Sequence, residues 1–166
     1  VTVTSALGFR AAGVAAGIKE SGNPDVAVVI NDGPAAAAAG VFTSNRVKAA
    51  PVLWSQQVVA GGTVRAVVLN SGGANACTGP AGFQDTHQTA EHLGRLLGIG
   101  AGEVAVCSTG LIGERLPLDR LLAGVTAAAG QASVAGGLTA ADAIRTTDTV
   151  PKTASATGTG YQIGGM

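Results

Sequence analysis

Apolar positions along this chain follow two periods. Val26-Ala27-Val28-Val29-Ile30, Val64 to Leu69 and Val104-Ala105-Val106-Cys107 are short apolar runs bounded by turn residues. Runs of this length and β-branched content predict strands buried on both faces. From Phe83 to Leu97 the period becomes helical. Thr86, Ala90, Leu93 and Leu97 form one stripe, and His87, Glu91 and Arg95 line a polar face. Asp85 falls in the expected first turn, where the helix dipole favours an anion, and Gly98 and Gly100 stop the helix. Leu118, Leu121, Leu122 and Val125 repeat the helical spacing behind Pro117, and Pro51 to Val59 predicts a shorter helix with Trp54 and Val58 stacked. Past Gly136-Gly137, Thr139 and Asp142 form a capping-box-like start to another helix that buries Ala140, Ala143 and Ile144.

Weaker patterns fill the gaps. Phe9 to Gly13 and Ala16 to Lys19 read as edge strands, Val41-Phe42-Thr43 as a strand, and Ala35 to Ala39 as an ambiguous helical turn. Thr153 to Thr157 and Tyr161 to Ile163 flank Gly158-Thr159-Gly160 as a hairpin. Strands alternate with helices while some neighbours are joined by tight turns, which predicts an α/β class with a mixed sheet. The 166 residues, without repeat or linker, fit a single domain. Apolar content is 46% but aromatic content only 3%, so the core is expected to be built from Ala and Val in thin, closely spaced layers. Both ends look cut: the chain opens at Val1, and Tyr161-Gln162-Ile163 runs into glycines and stops at Met166.

Charge is balanced, ten basic against ten acidic residues with no basic cluster, which argues against nucleic acid or an anionic membrane as partner. No apolar run reaches the roughly 18 to 20 residues of a membrane span, and no signal-peptide pattern opens the chain. Cys77 and Cys107 lack metal-ligand spacing and read as reduced thiols of a cytoplasmic protein, Cys107 as buried and inert. His87 and His92 are five residues apart on one helix, point about 140° apart and cannot share a metal. No metal site is expected, and no dinucleotide or phosphate-loop motif is present.

Three polar turns remain: Asn70 to Asn75, Ser108-Thr109-Gly110, and Thr146 to Thr149. They offer hydroxyls, amides and backbone donors, with Asp148 the single charge, a set suited to stabilising charge rather than moving protons. Ser108-Thr109-Gly110 reads as the turn at the carboxyl end of a buried strand, where open α/β sheets place ligands. Taken alone, an ordinary strand-to-helix turn explains it as well.

Six motifs in order change that balance: Gly8-Phe9-Arg10-Ala11-Ala12-Gly13, Gly40-Val41-Phe42-Thr43-Ser44-Asn45, Ala49-Ala50-Pro51-Val52, Asn70-Ser71-Gly72-Gly73-Ala74-Asn75-Ala76-Cys77-Thr78-Gly79, Cys107-Ser108-Thr109-Gly110-Leu111-Ile112-Gly113 and Thr146-Thr147-Asp148-Thr149-Val150-Pro151-Lys152. With them the chain resembles, over nearly its whole length, the α-chain of the ornithine acetyltransferase family, the bifunctional glutamate N-acetyltransferases of arginine biosynthesis. The resemblance implies a layered αββα sandwich completed by a β-chain. That chain is cut from the same precursor, and two αβ units pair as α2β2. It implies a β-chain N-terminal threonine as nucleophile, its α-amino group serving as base. The acetyl group passes from N-acetylornithine to that threonine and then to glutamate, releasing ornithine. Thr109 and Gly110 are implied as the oxyanion hole and Thr146 as a substrate contact, with Thr147 and Thr149 close rivals and Asn75 as support. No cofactor is implied, and acetyl-CoA is a co-substrate in some members only. The family's lysine and Ala-Thr cleavage site are absent before Met166. Two other readings compete: a self-processed aminopeptidase or amidase that releases the acyl group to water, and a non-catalytic binding subunit.

Overall fold

The computed structural model describes residues 2–166. Four strands form one sheet in the order β1-β2-β3-β4: Phe9–Val14, Val26–Asn31, Ala66–Gly73 and Val104–Leu111. β1 with β2 and β2 with β3 are antiparallel, whereas β3 and β4 are parallel, so the class is α/β with a mixed sheet, as expected. Parallel neighbours need a long crossover. Here it is the helix α2, Gly79–Leu97, followed by a 3₁₀ turn at Ala101–Glu103. Helix α1 is Ala50–Ala60, α3 is Leu118–Gln131 and α4 is Gly137–Ala143.

The sheet has two unlike faces. On one, Val26, Val28, Val68, Val104 and Val106 pack against Trp54 and Val58 of α1, Leu93 of α2, and Leu121 and Val125 of α3. Val26, Val28, Val68, Val104 and Val125 are wholly buried, each contributing about 1.5 to 3 kcal/mol of transfer free energy. On the other face α4 packs mainly on β1 and β2, with Ala140 and Ala143 against Ala11, Ala27 and Val29 and with Leu69 of β3 at the margin. The layer is thin because the residues are small: a Cβ on Gly13 would overlap the Thr139 carbonyl, and one on Gly136 the Ala11 carbonyl. A separate hairpin, Ala154–Gly158 (β5) with Tyr161–Gly165 (β6), forms as the glycine turn predicts and is mostly exposed.

Several local expectations are corrected. β3 runs through Gly73 and β4 through Leu111, so Asn70–Gly73 and Ser108–Gly110 lie in the ladder rather than in turns, each pairing with the other. Val41-Phe42-Thr43 is exposed and irregular, and Ala35–Ala39 holds an isolated bridge from Ala37 to Thr63 instead of a helical turn. Ala16–Lys19 is no strand either. The fully buried Asp25 carboxylate takes its backbone donors, accepting from the N–H groups of Ala16, Ile18 and Lys19 at 2.7, 2.6 and 2.9 Å. Helix α2 starts at Gly79, ahead of Phe83, so Asp85 lies beyond its first turn and holds Arg115 through two hydrogen bonds of 2.8 and 2.6 Å. Thr139 does not cap α4. Its N-cap is Gly136, and the Thr139 hydroxyl donates to the Gly136 carbonyl while accepting from Gly13 N–H.

Candidate functional site

β4 is buried where it begins and open where it ends. Val104, Ala105 and Val106 are 0%, 7% and 3% exposed, whereas Thr109, Gly110 and Leu111 are exposed. Its backbone is gripped from outside by α1: Trp54 Nε1 donates to the Val104 carbonyl at 2.9 Å, and Ser55 Oγ donates to the Val106 carbonyl and accepts from Val106 N–H. Backbone groups of alternate residues in a strand point to opposite edges. Val104 and Val106 therefore face away from β3, while the Leu111 carbonyl turns back to accept from Ala74 N–H at 2.8 Å. By the same alternation the Gly110 N–H is expected at the edge away from β3. Glycine is needed there: φ is +131°, and an added Cβ would lie 2.5 Å from the Gly72 carbonyl carbon and 2.6 Å from Gly73 N.

Thr109 lies one position before Gly110, on the sheet face opposite Val104 and Val106. That face is open here because α4 packs on β1 and β2 and meets β3 only at its end, where the Ser71 hydroxyl donates to the Ala143 carbonyl at 2.5 Å. The chain leaving α4 folds back beside the ends of β3 and β4. The result is a cleft of about 480 Å³ lined by Thr109, Gly110, Leu111, Gly72, Lys19, Thr146 and Thr147. Thr109, Gly110 and Thr146, far apart in sequence, thus share one cleft at the carboxyl ends of a parallel strand pair, the usual ligand position in open α/β sheets. Thr147 joins them, and Thr149 does not line it. A second hollow of about 480 Å³ adjoins it through Lys19, Gly72 and Leu111 and adds Glu20, Glu114 and Arg115.

Lys19 went unnoticed in the sequence, where it is one lysine at the end of a short apolar piece. It is the only ionisable residue lining the Thr109 cleft among the described residues. Partial burial pushes its ammonium below the usual lysine range, and the nearby Asp25 charge opposes the shift.

Other candidates fall outside. Asn75 is 1% exposed, in the left-handed region at φ 49°, and donates to the Gly82 carbonyl and Thr86 Oγ1 while accepting from Thr78. It fastens the exit of β3 to the start of α2. Cys107 is exposed rather than buried, a correction that follows from the bare face of β4, although desolvation still pushes its thiol up. His87 packs against Trp54 at 4.9 Å, and His92 pairs with Thr126 at 2.7 Å. Beneath Thr109, Asn70 Oδ1 and Ser108 Oγ are buried without a hydrogen-bond partner among the described residues, on positions paired across β3 and β4.

The model of the ArgJ family matches residues 10–166. The arginine biosynthesis bifunctional proteins ArgJ of Streptomyces coelicolor and Thermobifida fusca are 69% and 70% identical over 166 residues, all of this chain. The chain spans 43% of the length of each. Among solved structures, ornithine acetyltransferase of Mycobacterium tuberculosis, complexed with ornithine, superposes with a TM-score of 0.98 at 60% identity, covering 99% of this chain and 90% of that one. The arginine biosynthesis bifunctional protein of Bacillus halodurans does so at 0.88 and 36%, covering 99% and 88%. By a family match over almost its whole length, this chain belongs to the ArgJ family.

Proposed function

We propose that this chain is the α-chain of a self-cleaved precursor and forms half of an acetyltransferase site. It moves acetyl from N-acetylornithine to glutamate, in the cytoplasm, within an α2β2 assembly. The observation that carries the reading is the meeting of Thr109, Gly110 and Thr146 in one cleft at the open end of β4. The similarity to the Mycobacterium tuberculosis ornithine acetyltransferase complexed with ornithine supports the substrate class.

In this reading the hydroxyl oxygen of the β-chain's N-terminal threonine attacks the acetyl carbonyl carbon, and its proton passes to that residue's α-amino group. The carbonyl oxygen gains negative charge and accepts from the Thr109 hydroxyl and the Gly110 N–H. The C–N bond then breaks, the ornithine amine leaves with the proton, and an acetyl-threonine ester remains. The glutamate amine attacks that ester through a second oxyanion in the same hole and gives its proton to the threonine α-amino group. The ester C–O bond then breaks as that proton passes to the threonine oxygen, giving N-acetylglutamate and free threonine. Thr146 contacts the substrate at the cleft's other wall. The chemistry draws on the threonine's own amine and the donors of this chain, with acetyl-CoA as an alternative donor.

The test is acetyl transfer by the full-length, processed gene product. Ornithine should appear from N-acetylornithine in step with N-acetylglutamate. Ornithine release indifferent to glutamate would instead mark a hydrolase, and no turnover of any N-acyl amino acid would leave a binding subunit.

A further inference from the structure

The cleft supplies donors for an oxyanion but, Lys19 aside, no charge among its described lining residues. Amino-acid substrates bring at least one carboxylate, and glutamate brings two. The other cations near the cleft are already committed: Arg115 to Asp85, and Arg145 to Asp142 and the Asp148 carbonyl. Among the described residues no carboxylate forms an ion pair with the Lys19 ammonium, although the Asp25 and Asp142 charges lie near enough to act on it. Its Nζ donates to the Pro24 carbonyl at 3.0 Å, and an ammonium has two further donors.

Its placement is built rather than incidental. The buried Asp25 carboxylate holds the backbone N–H groups of Ile18 and Lys19, and Ser71 N–H in turn donates to the Asp25 carbonyl, tying the segment to the end of β3. Gly72 lets the lysine stem lie across that strand end: a Cβ there would come within 2.9 Å of Ile18 Cγ2 and 3.3 Å of Lys19 Cγ. The stem crosses the wall shared by the two hollows, and the residue lines both.

We infer that Lys19 is the specificity residue that binds a carboxylate of the amino-acid substrate while Thr109 and Gly110 hold the acetyl oxygen. The inference rests on the acetyl-transfer reading above. Part of the ammonium's hydration is already lost in the folded chain, so pairing with a carboxylate costs less than it would for a fully exposed lysine.

The experiment compares carboxylate substrates with their amides, using the full-length processed enzyme and three variants, Lys19→Met, Lys19→Gln and Lys19→Arg. The amide probes are glutamine (γ-amide) and isoglutamine (α-amide) as acceptors, and N-acetylornithine α-amide as donor. Wild type is expected to penalise the relevant amide roughly 10- to 100-fold in kcat/KM, the range for a charge-assisted hydrogen bond. Lys19→Met should shrink that penalty to less than about threefold, and Lys19→Arg should restore part of it. A shrinkage for isoglutamine and the donor amide assigns the α-carboxylate, and one for glutamine alone assigns the γ-carboxylate. A merely structural lysine would leave every amide-to-acid ratio unchanged, and that result overturns the inference, as does a wild type indifferent to all three amides. Lys19→Gln keeps a donor for the Pro24 carbonyl, so it provides the same test if Lys19→Met fails to fold. Wild type that transfers no acetyl at all sinks the parent reading instead.

Discussion

The two halves of β4 make the sharpest contrast in the molecule. Val104 to Val106 lie under the helical layer and are clamped at the outer edge by Trp54 and Ser55. Thr109 to Leu111, in the same strand and ladder, are exposed, with Leu111 at 67%. One segment thus supplies an anchored mount and, three residues on, an open stretch that carries the Thr109 hydroxyl and then Gly110. Preorganised donors stabilise developing charge because they need not reorganise during the reaction, and a hydrogen-bonded strand holds them more firmly than a loop.

Substitutions along the strand can break this contrast. The largest effect is expected from Gly110→Ala, which sets a side chain against the Gly72–Gly73 backbone at a left-handed φ. A loss of about 4 kcal/mol or more in urea unfolding is expected, and an unchanged midpoint would show that the close strand approach does not matter. Next is Thr109→Ala. Transfer should slow by roughly 100-fold or more, about 3 kcal/mol of transition-state stabilisation, with folding stability altered by less than about 0.5 kcal/mol. Near-normal transfer by purified enzyme would remove Thr109 from the oxyanion hole. Ser55→Ala should behave in the opposite way. It strands the N–H and C=O of Val106 and should cost about 2 kcal/mol of stability, and a variant as stable as wild type would deny that the clamp matters.

The smallest effect lies far from the cleft. Burial, with help from the Arg95 charge, lowers the His92 pKa below its ordinary 6.5, a Leu122 backbone hydrogen bond opposing it. The fold therefore favours the neutral ring. Its contribution is complete above the unfolded pKa and is lost as pH falls through the lower folded value. Solvent screening should keep the change under about 0.5 kcal/mol. His92→Gln should flatten the fall in stability measured from pH 7 to pH 5, and identical pH curves for the two proteins would discount it.

The α/β class, the long stripe of Thr86, Ala90 and Leu93, and the buried runs at Val26 and Val104 were legible because periodicity records which side chains meet an apolar neighbour. Six motifs in order pointed to the family and through it to Thr109, Gly110 and Thr146. Sequence misjudged where the strands stop. Asn, Ser, Thr and Gly favour turns locally, but the ladder between Asn70–Gly72 and Ser108–Gly110 overrides that preference. It misjudged Cys107 as well, because an apolar run does not say whether both faces of a strand are covered.

Local pattern by itself determined the elements, the Ala- and Val-built core and the candidate donors. Only tertiary structure decided that α4 stops short of β4 and leaves Thr109 uncovered. Only tertiary structure brought Thr146 to it from the far side of α3 and α4, and set Lys19 at the shared wall through a buried Asp25. Those outcomes depend on packing between segments distant in the chain. Periods of two or 3.6 residues carry no record of such contacts.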